Sequence, residues 1–335
     1  MTKMSDVAKL ANVSTATVSR VLRNPKTVKK STQQKVFEAI KQLDYQPNIL
    51  ARRFRTNQTK TILVVVPSLT NLVFSEIIAG IDRVAMEQGY QVLLGDTNKQ
   101  LEKAQNFINH LKQKQVDGAI LLTVRLDQDL WKEIANHYPI VLASDFVEDM
   151  KVPTVTIDNV KSGFEVTEHL IKLGHRKIAH VSGSADVSVS QERVKGYCKA
   201  LRHYDIPFDS DLFIEADYSI EWGYSSVKKL MAQKSNPTAI FFGNDEMAMG
   251  GIKAATEMGI RVPEDLAVVG FDDIKFSAIY NPPLTTISQP LHEMGKKAME
   301  LLVKIMDGEP LETEKYVLES EFVVRDSCGA KITGK

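Results

Sequence analysis

Apolar positions in the first sixty residues recur every three to four residues and do not alternate, so they predict short helices and no strand. In Ser5-Asp6-Val7-Ala8-Lys9-Leu10-Ala11, the apolar positions Val7, Leu10 and Ala11 share one helical face behind Ser5 as an N-cap. Asn12-Val13 makes a tight turn, and Ser14 caps a second helix that points Val18, Val21 and Leu22 at the same small core. Ser31-Thr32-Gln33-Gln34 has the spacing of a capping box, ahead of a third helix striped by Val36, Ile40 and Leu43. Three short helices with a tight turn between the first two make a helix-turn-helix unit.

From Thr61 the pattern changes to apolar strands alternating with amphipathic helices. Ile62–Val66, Gln91–Gly95, Ala119–Leu122, Ile140–Ala143, Ile178–Val181, Ala239–Phe242 and Ala267–Phe271 are short and rich in branched or aromatic residues. Between them lie helical stretches such as Glu76–Gln88, Ala104–Lys114, Gly163–Leu173, Arg193–Tyr204, Tyr224–Gln233 and Met247–Met258. Such alternation predicts doubly wound α/β layers with parallel sheets, and about ten strands are better divided between two sheets than held in one.

Charge sharpens the division. The chain is neutral overall, yet residues 1–60 hold thirteen Lys and Arg against three acids, so the remaining 275 residues carry ten net negative charges. Clustered cations on a small module are what phosphate neutralisation requires. Two cysteines, Cys198 and Cys328, exclude a disulfide framework and a cysteine-rich zinc site. No run of eighteen apolar residues occurs, and the start MTKMSDVAKL lacks the apolar stretch of a signal peptide, so no membrane span is expected and the cytoplasm is the expected compartment.

A recognition helix needs short polar and cationic side chains near its N-terminus and an apolar back. Thr15, Ala16 and Arg20 stand where base edges would be met: Arg20 can bond guanine bidentately, and Thr15 and Ala16 can touch a thymine methyl. Ser5, Ser14, Thr17, Ser19 and Lys29 suit phosphate oxygens, which position without specifying. An enzyme is the main rival, because doubly wound domains host many. No phosphate-binding loop G-x-x-x-x-G-K-[ST], no H-E-x-x-H, no G-x-S-x-G and no dinucleotide fingerprint is present, so catalysis has no residues to carry it, and no cofactor is expected. A sugar-binding transport module is the second rival; a basic headpiece and no export signal speak against it.

The segment DVAKLANVSTATVSRVL, with Tyr45-Gln46-Pro47-Asn48 after the third helix, resembles the DNA-binding headpiece of the lactose repressor (LacI/GalR) family. The likeness continues through Gly174-His175-Arg176-Lys177-Ile178, Asn244-Asp245-Glu246-Met247-Ala248, Gly270-Phe271-Asp272-Asp273 and Pro282-Pro283-Leu284-Thr285-Thr286-Ile287, in order over more than three hundred residues. Thr61 to Pro67, Phe74 to Ile78 and Ile157-Asp158-Asn159 are similar to the cytidine-repressor branch.

The resemblance implies a helix-turn-helix headpiece over residues 1–47, a hinge helix and linker over 48–60, and a two-lobed core like a periplasmic binding protein over 61–335. The N-lobe would take about 61–160 plus 289–323, and the C-lobe about 161–288 plus 324–335. It further implies a homodimer on double-stranded operator DNA, paired through the first core helix near Glu76–Arg83, and a small-molecule effector, a sugar or a nucleoside. In the hinge, Asn48, Arg52, Arg53 and Arg55 match DNA-contacting positions, and Phe54 stands where relatives usually place a leucine wedge. Pocket positions match Phe74, Arg193, Tyr218, Asn244 and Asp272. Ser144 occupies a slot where relatives often carry an aspartate, with Asp145 following.

Overall fold

The computed structural model describes residues 2–45, 58–123, 125–147, 150–233 and 236–330. It divides into two units, Met1–Thr59 and Lys60–Lys335.

In the first unit α1 (Met4–Leu10), α2 (Thr15–Arg23) and α3 (Lys30–Gln42) enclose Val7, Ala8, Ala11, Val18, Val21, Val36, Ala39 and Tyr45. The turn after α1 is made by Asn12 at φ 52°, and Val13 N–H donates to the Ala8 carbonyl at 3.0 Å. Asparagine tolerates this left-handed conformation better than most residues, which fixes the angle between the two helices. Ser14 caps α2, its Oγ accepting from Thr17 N–H at 3.1 Å.

Three local expectations are corrected. Ser5 is not the N-cap of α1: Lys3 is, and the Asp6 carboxylate accepts from its N–H at 2.8 Å. This bond from the third helical residue back to the cap N–H starts the helix ahead of Ser5. Ser31 lies inside α3, whose N-cap is Lys29, and the Gln34 amide donates to Glu38 Oε1 at 3.2 Å instead of closing a capping box, while the Gln33 amide donates to the carbonyls of Pro25 and Val28, both at 2.7 Å, and fastens the preceding loop. Leu10 is 46% exposed, because Ala8 takes the core position next to Val7.

The second unit holds two parallel sheets. The first has the order β11-β5-β4-β3-β1-β2, built from β1 (Thr61–Val66), β2 (Gln91–Asp96), β3 (Gly118–Leu122), β4 (Ile140–Ala143), β5 (Thr154–Ile157) and β11 (Lys315–Leu318). The second has the order β7-β6-β8-β9, from β6 (Ile178–Ser182), β7 (Phe213–Glu215), β8 (Ala239–Phe242) and β9 (Ala267–Val269). In each, the first strand pairs with both the second and the third, so strand order reverses there and a crevice opens at the carboxyl ends. Helices cover both faces, which is why β1, β3, β4, β6 and β8 are apolar and buried almost end to end.

Helices α4 (Leu72–Glu87) and α11 (Leu291–Met306) pack together on the first sheet, with α5 (Leu101–Lys112) and α6 (Gln128–His137) completing that lobe. Their close approach needs glycine: a Cβ on Gly295 would lie 2.0 Å from the Ile77 carbonyl oxygen. In the other lobe α7 (Asn159–Lys172) packs on α8 (Ser188–His203), and α9 (Ile220–Met231) on α10 (Asp245–Glu257). The short antiparallel pair β10 (Thr286–Ser288) and β12 (Glu321–Val323) lies where the chain returns between the sheets. The predicted strand Ala267–Phe271 stops at Val269, since Gly270 N–H turns to the Thr285 carbonyl and Asp272 N–H to that of Ile287.

Candidate functional site

On the headpiece, Val18 and Val21 face inward, so the opposite side of α2 is turned out. Ser14, Thr15, Ala16 and Arg20 are exposed there, with Thr17 and Ser19 half-buried at its edges. Ser5 and Lys29 are also exposed. The Ser14 hydroxyl is shared between its cap and Thr17 Oγ1, 2.9 Å away. Asn48, Arg52, Arg53, Phe54 and Arg55 lie outside the described residues.

In the second unit a cavity of about 860 Å³ opens between the two sheets. Its lining follows the carboxyl ends of strands: Phe74 beyond β1, Ser144 after β4, Tyr218 after β7, Asn244 after β8 and Asp272 after β9, with Arg193 on α8. All six residues singled out from the sequence line this one cavity. Three of them hold left-handed backbone, Ser144 at φ 70°, Tyr218 at 71° and Asp272 at 111°. Such conformations cost about 1–3 kcal/mol each and survive where the surroundings over-determine them.

Arg193 is the electrostatic centre. It is buried, with its guanidinium 3.6 Å from the Phe271 ring centroid, Nε donating to Asn159 Oδ1 at 3.0 Å, Nη1 to the Gly243 carbonyl, and Nη2 3.6 Å from Asp272 Oδ1. Asp272 Oδ1 also accepts from Gln289 Nε2 at 2.6 Å. Burial pushes the Asp272 carboxyl up to about 7, against the pull of Arg193 and Gln289. Next to it Asp245 is pushed to about 7 by burial and by Asp272 itself. The Asp245 carboxylate accepts from Thr286 Oγ1 at 2.6 Å, Ser277 Oγ at 2.7 Å and Ile274 N–H at 3.0 Å, which holds the loop carrying Asp272 in place.

Asn244 is occupied differently from a simple ligand arm. Its Oδ1 caps α10 through Met247 N–H at 2.9 Å, and its Nδ2 donates to the Tyr218 carbonyl at 3.1 Å. Tyr218 packs its ring against Gly183, where a Cβ would lie 2.0 Å from Cζ, and its hydroxyl meets Ser190 Oγ at 2.5 Å. Asp145 does not line this cavity but a neighbouring one, and burial raises its carboxyl to about 6.

Residues missed by sequence reasoning include Gln289, which orients Asp272, and Trp222 and Glu246, which complete the wall. Gln289 sits just past β10 with no local pattern to flag it; only the crossing of the chain between sheets brings it here. The lining mixes aromatic faces with carboxylate, amide and hydroxyl groups, a surface for a small ligand bearing hydroxyls or N–H donors. Among the described residues no group of three His, Cys, Asp or Glu could hold a metal ion, and no helix is long and apolar enough to cross a membrane.

Two parallel sheets closing on a cavity of mixed apolar and polar lining, in a chain that begins with a helix-turn-helix unit, define a DNA-binding regulator with a ligand-binding core. The chain belongs to the LacI family of bacterial regulatory proteins. Residues 3–48 match the model of bacterial regulatory proteins of the lacI family, and residues 59–322 that of periplasmic binding proteins and the sugar binding domain of the LacI family. The chain is 38% identical to the HTH-type transcriptional repressor CytR of Escherichia coli (strain K12) over 328 residues, 98% of this chain and 96% of that one. It is 36% identical to catabolite control protein A of Priestia megaterium, covering 96% and 98% of the two chains. Among solved structures it resembles the lac repressor dimer bound to operator and the anti-inducer ONPF, at 29% identity, 98% and 99% coverage and a TM-score of 0.89. It also resembles the regulator CelR in complex with cellobiose, at 30% identity, 98% and 100% coverage and a TM-score of 0.74. It is a sequence-specific transcriptional regulator under the control of a small ligand, not an enzyme.

Proposed function

We propose that this protein is a homodimeric repressor of catabolic or transport genes in the cytoplasm, released from or driven onto its operator by a sugar or nucleoside in the core cavity. The observation that carries the effector reading is the buried Arg193–Asp272 pair at the cavity wall, where a guanidinium and a carboxylate meet beside aromatic rings. In this reading Thr15, Ala16 and Arg20 read bases; Ser5, Ser14, Thr17, Ser19 and Lys29 hold phosphates; Asn48, Arg52, Arg53 and Arg55 track the hinge contacts and Phe54 wedges the central step. The headpiece then spans 1–47, the hinge and linker 48–60, and the core 61–335.

Phe74, Ser144, Arg193, Tyr218, Asn244 and Asp272 form the effector site, Asn244 chiefly by fixing Tyr218. The similarity to a regulator solved as its cellobiose complex supports a neutral polyhydroxylated ligand. Dimerisation through the outer face of α4 is supported by Met86, 70% exposed, and by half-exposed Leu93 and Leu94 on the adjacent edge strand. Titration calorimetry of the full chain with nucleosides, pentoses and hexoses tests the effector class: one member should bind, and Arg193→Lys, which keeps the charge but loses the planar fork, should abolish that heat. No heat from any member would overturn it.

A further inference from the structure

Two cations of the N-lobe reach across the mouth of the cavity to the C-lobe. Arg125, three residues beyond β3, places Nη1 3.1 Å from Asp186 Oδ2 and donates from Nη2 to Ser184 Oγ at 3.2 Å. Lys99, beyond β2, donates from Nζ to the Asp217 carbonyl at 3.2 Å. Both cations line the cavity, and Arg125 also forms part of the wall of the neighbouring one.

The groups at each end are held before they meet. Ala185 N–H donates to Glu215 Oε1 at 2.7 Å and the Ala185 carbonyl accepts from Gln191 Nε2 at 2.7 Å, so the loop bearing Ser184 and Asp186 is tied on both sides. On the N-lobe, Thr123, Asn98 and Lys99 take left-handed backbone, and Asn98 N–H is held by Asp96 Oδ1 at 2.7 Å. Neither contact belongs to a hydrophobic core; each joins two separately built lobes.

We propose that Arg125 and Lys99 form a two-point clasp that biases the lobes toward closure and so regulates entry to the cavity. The proposal rests on reading that cavity as the effector site. Exposed contacts of this kind shift an equilibrium by about one-and-a-half- to fivefold each, so the clasp tilts the balance between open and closed lobes without locking it.

The test needs no effector. Spin labels are placed at Glu102 and Glu221, exposed at the starts of α5 and α9 in the two lobes, in a chain whose two cysteines have been replaced. An excess of unlabelled chain leaves one labelled protomer per dimer. Arg125→Asp and Lys99→Met should each move the distance distribution to longer separations, as should raising salt from about 0.05 M to about 1 M in the parent. Adding Asp186→Arg to Arg125→Asp should restore the parental distribution. The same distribution in the parent and both single variants at both salt levels, or failure of the charge swap to restore closure, would overturn the clasp. Either result leaves the calorimetric test of the effector class untouched.

Discussion

A side chain's role here follows from what its neighbours leave it. Arg20 projects from the exposed side of α2, whose back is pinned by Val18 and Val21, so its guanidinium is aimed outward by packing behind it. Arg20→Ala should lower discrimination between operator variants by about 1–3 kcal/mol at the base it reads, measured by competition binding; equal losses on operator and random DNA would contradict base reading. His180 shows the opposite situation. It is buried in the middle of β6, stacked on Phe241 with ring centroids 4.4 Å apart, with Nδ1 2.9 Å from the Phe241 carbonyl oxygen. Burial depresses its imidazole to about 4, from an ordinary value near 6.5. The unfolded chain therefore takes up the proton first as pH falls: the contribution to stability is whole above about 6.5 and is lost on descent through about 4. Denaturant melts should show about 2 kcal/mol lost from this group between pH 7 and pH 5, and His180→Phe should flatten that dependence whatever constant offset it adds.

Elements were legible in proportion to how far their burial is local. The helix-turn-helix and the buried strands β1, β3, β4, β6 and β8 stood out because each has an apolar face or run of its own. The strands β5, β7, β10 and β12 did not. β5 (Thr-Val-Thr-Ile) and β7 (Phe-Ile-Glu) lack the unbroken apolar run that marks β4 and β8, and β10 and β12 exist only because distant parts of the chain meet. The same divide holds for the site. Six lining residues were found through family motifs that follow strand ends, whereas Gln289 acts on Asp272 across seventeen positions of chain, beyond any local signal. Gly183 marks how tightly the elements fit, since the Tyr218 ring occupies the space of its missing Cβ. Gly183→Ala should push Tyr218 from its place and weaken effector binding at least tenfold by calorimetry, while operator affinity without effector stays near the parental value. Parental effector affinity in a folded variant would contradict that packing role.

At the scale of the molecule, a neutral chain conceals a division of labour: a basic headpiece suited to a polyanion and an acidic core suited to a small ligand. The family assigns the two functions to one regulator, and thermodynamic linkage then ties them. If effector changes operator affinity, operator must change effector affinity by the same factor, commonly about 5- to 150-fold. The lobes supply a way to carry this coupling, because a ligand between them favours one relative orientation over another. The central claim is tested most directly by selecting genomic fragments bound by the full chain, with and without a pool of nucleosides and sugars. A pseudo-palindromic site whose occupancy changes with one pool member, in either direction, is the result predicted. Binding that is sequence-independent, salt-sensitive and indifferent to every member of the pool would contradict the account.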